Sequence, residues 1–202
     1  MDTPGLADVI RYVDPDPAAP TAVLTFDDGP NPPDTVTLLD LLAREQVTAV
    51  FCLVGQQVEA HPDVVRRIVA DGHVLANHSF RHDNLSQLTP DAVRADLTRT
   101  LDAIHAVVPD APVPFFRAPF GHYGHAIVVA AELGMRTLDW QLAVEDWVPP
   151  GVDELVRRLG GVEPGGVVLL HDGGGDRSQT VAAVARLIPR LRAEGWAFTV
   201  PR

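Results

Sequence analysis

"VLTFDDGPNPPD", residues 23–34, sets an apolar run directly against two adjacent carboxylates and a glycine-proline turn. The run is apolar on both pleat faces, as a strand covered on both sides is, and Gly29-Pro30 supplies the punctuation that ends it. Two like charges at the mouth of a buried strand raise each other's pKa. They need either a cation between them or separate jobs. In parallel α/β folds, ligands and chemistry gather at the C-terminal ends of strands. Asp27 and Asp28 stand at such an end.

Similar apolar runs recur at 48–54, 73–77, 113–117, 135–140, 166–171 and 196–200, which with 21–26 makes seven strand candidates. Amphipathic stretches lie between them. Asp34 is placed to cap "TVTLLDLLAREQ", His61-Pro62 precedes "DVVRRIVADG" with Gly72 as the stop, and Thr89-Pro90 opens a long helix that runs to Pro109. Ser178 or Asp176 caps a last helix that Pro189 is expected to kink or split. Strand-helix alternation predicts a parallel sheet with right-handed crossovers, either open and doubly wound or an incomplete barrel. The 202 residues show no linker and no internal repeat, so one domain over 1–202 is expected.

A formal net charge of −11 argues against nucleic acid or an anionic membrane as partner, because phosphate binding wants a basic face. The single cysteine, Cys52, lies in an apolar run and reads as a small core residue, so there is no disulfide framework. The opening "MDTPGLADVI" lacks the charged and apolar regions of a signal peptide, and no apolar stretch reaches membrane-spanning length. A cytoplasmic protein is the expectation. Oligomeric state is not legible.

The strand ends carry Asp27-Asp28, His78 with His82, Arg117, Asp146 and His171-Asp172, while the strands themselves carry hardly any charge. Scattered surface charge does not sort this way. In "NHSFRH" the two histidines are four apart, which on a helical turn points both imidazoles to one side. Histidine pairs at this spacing are common on solvent-facing turns. Here the pair follows a strand, with carboxylates at equivalent depth. Two histidines and one carboxylate suit zinc or a similar divalent ion with positions left for water and substrate. One aspartate then binds the cation and the other serves as a base. Arg117, closing an aromatic strand, reads either as a snorkelling surface residue or as a fixed partner for a carboxylate. His171, with Asp146 to orient it, suits a general acid. His61 reads as a cap, His105 as a helix-surface residue, and His73, His122 and His125 as loop residues.

In this order the residues resemble the NodB-homology polysaccharide deacetylases, carbohydrate esterase family four. The resemblance rests on "TFDDGP" (25–30), "HSFRH" (78–82), "RAPFG" (117–121), "WQLAVEDW" (140–147) and "LLH" (169–171), spanning about residues 21–200. It implies an α/β fold, a distorted (β/α) barrel with about seven parallel strands. It further implies Asp27 as catalytic base, Asp28, His78 and His82 as ligands of a divalent metal (zinc, with cobalt or nickel as alternatives), and Arg117 as the residue that orients Asp27. His171 is then the general acid supported by Asp146. Trp147 and Leu169 line the pocket for the acetyl methyl, and the backbone N–H near Phe120 helps bind the oxyanion.

Two positions depart from the family pattern. Ala143 stands where an aspartate usually precedes the Asp-Trp pair by three residues, and Phe120 replaces the commoner tyrosine. The expected activity is metal-dependent hydrolysis of the acetyl group of an N-acetylated amino sugar. An O-acetyl esterase on acetylated carbohydrate is the close alternative, and a non-catalytic sugar-binding relative the more distant one.

Overall fold

Thr21–Asp27 forms β1, and every residue in it is buried. The computed structural model describes residue 5, residues 8–14 and residues 16–202. The reading of the opening segment as free of a signal peptide falls largely outside those residues. Parallel to β1 run β2 (Val50–Leu53), β3 (Val74–Asn77), β4 (Phe115–Phe116), β5 (Arg136–Thr137), β6 (Leu142–Ala143), β7 (Val167–His171) and β8 (Ala197–Phe198). The order is β5-β4-β3-β2-β1-β7-β6, with β8 pairing β1. This is a curled, incompletely closed barrel with flanking helices. The seven apolar runs became seven of these strands. The eighth, β6, is two residues long and owes its extended form to pairing with β7, so no local pattern announces it.

Alternation along the strands separates two apolar regions. Ala22, Leu24 and Phe26 of β1 join Phe51, Leu53, Leu75, Val168 and Leu170 in the cluster packed under the helices. Val23 instead meets Val50, Cys52, Ala76, Phe115, Leu138 and Val167 in a smaller cluster that fills the barrel. Thr25 and Asp27 continue the inward column of β1, and Leu169 and His171 continue that of β7. The inward side chains change from apolar at the base to polar at the C-terminal mouth. Cys52 is fully buried, as expected of a small core residue.

The helices are α1 (Asp34–Glu45), α2 (Gly55–Ala60), α3 (Pro62–Ala70), α4 (Pro90–Val107), α5 (Ala126–Glu132), α6 (Val152–Leu159) and α7 (Ser178–Ala193). Four were foreseen, with shifts at their ends. Pro33 takes the cap position of α1, and Asp34, its first residue, turns its carboxylate to the Arg177 N–H at 2.7 Å. His61 occupies the cap position of α3 without a side-chain hydrogen bond, whereas Thr89 accepts from the Ala92 N–H at the start of α4. That helix ends at Val107, short of Pro109. Arg177 holds the cap position of α7, and Asp176 accepts from the Ser178 N–H. Pro189 does not split α7, because Leu187, Ile188 and Leu191 around it are buried on both sides of the missing hydrogen bond. The short helices α2, α5 and α6 lack the length for a readable period. In α6 only Leu155 and Leu159 are buried.

His73 lies in the connection just ahead of β3, where it is buried beside Phe51 and its Nδ1 accepts from the Ala49 N–H. No described helix is long and apolar enough to cross a membrane.

Candidate active site

At the mouth of the barrel β1 ends in Asp27, which is register partner to Cys52 on one side and His171 on the other. Asp27 is only 2% exposed. Its Oδ1 accepts from Arg117 Nη1 at 2.7 Å, and its Oδ2 lies 3.6 Å from His78 Nε2. Burial alone raises a carboxyl pKa, but the Arg117 guanidinium outweighs it, with His78 and His171 in support, and the Asp27 pKa is lowered.

Arg117 is fully buried, which removes the snorkelling reading. Besides Asp27 it donates from Nη1 to Thr25 Oγ1 at 2.7 Å and from Nη2 to the Asp139 carbonyl at 2.9 Å. Thr25 Oγ1 in turn donates to the Val168 carbonyl at 2.7 Å. A planar guanidinium held at two ends cannot swing away from the carboxylate. Ala143 lies across the barrel wall as register partner of Leu169. Thr25 and the Asp139 carbonyl therefore hold Arg117 without a carboxylate at position 143, although Arg117 Nε has no partner among the described residues.

Asp28 adopts a left-handed backbone, φ 74°, which turns its side chain away from the line of β1. Its Oδ1 lies 3.4 Å from His78 Nε2 and 3.2 Å from His82 Nε2. The donor atoms of Asp28, His78 and His82 all fall within 4.8 Å of one another. His78 Nδ1 is 2.8 Å from the Arg117 carbonyl. A carbonyl only accepts, so Nδ1 carries a proton and Nε2 is the ring nitrogen that faces Asp28.

Burial pushes the His78 pKa down, yet Asp27 and Asp28 reverse this and raise it. The Asp28 pKa is lowered, because contacts with His78 and the charge of His82 overcome burial. Asp28 Oδ1 is itself buried without a hydrogen-bond partner among the described residues. Two imidazole nitrogens and negative charge thus converge on one point, and the residues fit a divalent cation.

The histidine pair does not sit on a helical turn, contrary to its spacing. Ser79 and His82 both have positive φ, 65° and 62°, and the tight loop is closed by Ser79 Oγ accepting the His82 N–H at 2.9 Å. Asn77 Oδ1 accepts the Ser79 N–H at 3.0 Å. The loop brings both imidazoles to one side by another route.

On the opposite flank His171 receives the other carboxylate. Asp146 accepts the His171 N–H at 2.9 Å on Oδ2 and the Nδ1 proton at 2.7 Å on Oδ1. Thr180 Oγ1 steadies Asp146 Oδ2 at 2.8 Å. Burial lowers the His171 pKa, but the hydrogen bond and charge of Asp146 more than compensate, and it is raised. The nearby Asp139 is engaged elsewhere, in an ion pair with Arg11 at 2.6 Å. Asp146-Trp147 is therefore the Asp-Trp pair that reaches His171.

The rim is apolar. Trp147 stands T-shaped to His171, centroids 5.2 Å apart, and is 43% exposed. Phe120, 61% exposed, stands edge-on to His82 at 4.5 Å. Leu169 lies in the wall, 5% exposed, beside Thr25 in register. His122 also reaches the rim, 6.0 Å from the Phe120 ring. Position in sequence does not distinguish it from any other loop histidine.

Asp172 was legible as a strand-end carboxylate but had no assigned place. It is fully buried behind the Asp27-Asp28 turn, and Thr35 Oγ1 donates to its Oδ2 at 2.6 Å. Thr35 Oγ1 also accepts the Asn31 N–H at 2.7 Å, so the three residues tie the turn to α1. Burial first, then Asp28 and Asp27, push the Asp172 pKa up to about 7 against the pull of Thr35. A Cβ at Gly29 would lie 2.2 Å from Asp172 Oδ2, which is why the residue after the two aspartates is a glycine.

The chain is 38% identical over 190 residues to a chitooligosaccharide deacetylase of Sinorhizobium fredii, covering 88% of each protein. It is 35% identical over 179 residues to a peptidoglycan-N-acetylglucosamine deacetylase of Bacillus cereus, covering 87% of this chain and 83% of that one. The fold superposes on a family 4 carbohydrate esterase from Streptomyces lividans, solved in complex with acetate, with a TM-score of 0.82 and 29% identity. That superposition covers 90% of this chain and 92% of the other. The family model described as polysaccharide deacetylase matches residues 14–138, and with these relatives it shows that the chain belongs to the polysaccharide deacetylase family, the NodB-homology group within carbohydrate esterase family four.

Proposed function

We propose that this protein hydrolyses the acetamido group of an N-acetylated amino sugar, within an oligosaccharide or other glycan, with one divalent cation, zinc, at Asp28, His78 and His82. Residues 1–202 act as one catalytic domain in this reading. The observation that carries it is the placing of two differently tuned groups on either side of the cation cluster. Asp27 is held ionised by Arg117, and His171 is held toward its protonated form by Asp146. Pairs of titratable groups pushed apart in this way mark the base and the acid of a site.

When bound, the cation supplies Lewis-acid polarisation of the substrate carbonyl and acidifies a water. Asp27 accepts a proton from the attacking water as its oxygen bonds to the carbonyl carbon. Arg117 keeps the Asp27 carboxylate aimed at that water. The backbone near Phe120 offers an N–H to the developing oxyanion. His171 Nε2, free because Nδ1 is committed to Asp146, gives its proton to the departing nitrogen as the C–N bond breaks. The products are acetate and a free amine. Phe120 and Trp147 present apolar faces on which sugar rings pack, and Leu169 with Trp147 encloses the acetyl methyl.

Acetate release tests the substrate class directly. The panel is N-acetylated chito-oligosaccharides, peptidoglycan fragments and O-acetylated xylan, each with zinc-loaded protein. Release from N-acetylated sugars is expected. Release from the O-acetylated substrate alone would replace this reading with an esterase, and release from none would end it.

The acid has a pH signature. His171 must be protonated to act, and Asp146 raises its pKa, so activity is retained to higher pH than an unperturbed histidine allows. In Asp146→Asn the alkaline limb of kcat/KM is expected to move to lower pH, with a lower plateau. An unmoved limb would remove His171 as the titrating acid.

A further inference from the structure

Arg177 is 6% exposed, and among the described residues its guanidinium is satisfied by main-chain carbonyls alone. Nε donates to Gly173 O at 2.7 Å, Nη2 to Gly174 O at 3.1 Å, and Nη1 to Asp176 O at 3.3 Å. The Arg177 N–H is anchored on Asp34 Oδ2 at 2.7 Å. Asn31 Nδ2 donates to Gly175 O at 2.9 Å and ties the same loop to the turn that carries Asp28. A buried cation without a carboxylate is costly, so its place calls for a reason.

That reason lies across Gly174. With φ +73°, Gly174 sits where an added Cβ would be 2.8 Å from Asp28 Oδ2 and 3.3 Å from Arg177 Nη2. The carboxylate and the guanidinium thus face one another over a bare glycine, within about 6 Å. The loop passes behind the carboxylate with no room for a side chain between them, and the arginine fork holds the loop.

We propose that Arg177 is a positioning residue for the cation site, its guanidinium fork holding the Gly173–Gly175 loop against the Asp28 carboxylate. Two effects oppose each other here. The positive charge repels an incoming cation, while the fork keeps the loop behind Asp28, and so the carboxylate, in place. The three carbonyl contacts make the geometric effect the larger one. Lysine retains the charge but cannot span two carbonyls with a rigid fork, so Arg177→Lys isolates the geometry. The inference rests on the cation site proposed above.

The test is the zinc affinity of the metal-free protein, measured by competition with a chromophoric chelator for wild type, Arg177→Lys and Arg177→Gln. Urea unfolding midpoints of the metal-free forms are recorded alongside. Both variants are expected to lose about 10- to 100-fold in zinc affinity, as when groups that orient metal ligands are removed. Their kcat at saturating zinc is expected to stay much closer to wild type. A lower unfolding midpoint with wild-type zinc affinity would show a merely structural arginine and overturn the proposal. A tighter site in Arg177→Gln would also overturn it, because repulsion would then dominate. Hydrogen exchange on the wild type gives the same answer without a variant: zinc is expected to slow exchange of the Gly173–Asp176 amides, and unchanged exchange contradicts the proposal. Failure of the wild type to bind zinc would instead sink the cation site itself.

Discussion

Asp27→Asn is expected to lower kcat by about 10²- to 10⁴-fold at saturating zinc, the range that a positioned general base contributes. Asparagine keeps the size of the side chain, and its carbonyl still accepts from Arg117 Nη1, now at 2.7 Å from Asp27 Oδ1. What it loses is the capacity to take a proton. Zinc affinity is expected to change little, since Asp28, His78 and His82 remain. This split separates the two neighbouring aspartates, because Asp28→Asn should weaken zinc binding first and activity as a consequence. Steady-state kinetics beside chelator competition measures both. An Asp27→Asn enzyme within threefold of wild type would mean that another group takes the proton.

The largest stability effect is expected at Arg117. Arg117→Met leaves a buried carboxylate, Asp27, without its cation, and breaking such a pair from one side costs about 3–5 kcal/mol. For a chain of this size that lowers the melting temperature by on the order of 10 °C. The pH dependence follows from the lowered pKa of Asp27 in the folded wild type. A depressed carboxyl contributes stability above its unfolded pKa, and that contribution is lost as pH falls through the folded value. The gap between wild type and Arg117→Met is therefore widest near neutrality and narrows below the ordinary carboxylate range. Adding Asp27→Asn to Arg117→Met should recover part of the loss, since the stranded charge is gone. Strictly additive losses in a double-mutant cycle of urea unfolding would show that the two residues do not depend on each other.

Much of this architecture is written locally. β1 and β7 are continuous apolar runs that end in ionisable residues, and such runs are legible because both pleat faces are covered. Leu142–Ala143 is not legible as a strand, since only the register with Val168 and Leu169 makes it one. The cation candidates were readable from residue type and depth, but the way His78 and His82 meet was not. Their loop depends on left-handed backbone at Ser79 and His82, which spacing alone does not reveal. The supporting groups were the least legible. Thr25, Thr35, Thr180, the Asp139 carbonyl and Arg177 act through partners dozens of residues away or through main-chain atoms. Ala143 shows the same limit from the other side. The aspartate usual at this position is missing, yet Thr25 and a backbone carbonyl hold the Arg117 guanidinium in place.

The division of labour at the mouth of β1, with Asp28 on the cation and Asp27 on the water, is tested most directly by titrating zinc back into chelator-stripped protein. Acetate release from an N-acetylated chito-oligosaccharide is followed at each addition. Activity is expected to be absent without metal, to rise linearly, and to level off at one zinc per chain, with Asp28→Ala inactive at the same zinc concentrations. Acetate release from fully metal-free protein, or from Asp28→Ala at the wild-type rate, would contradict the account.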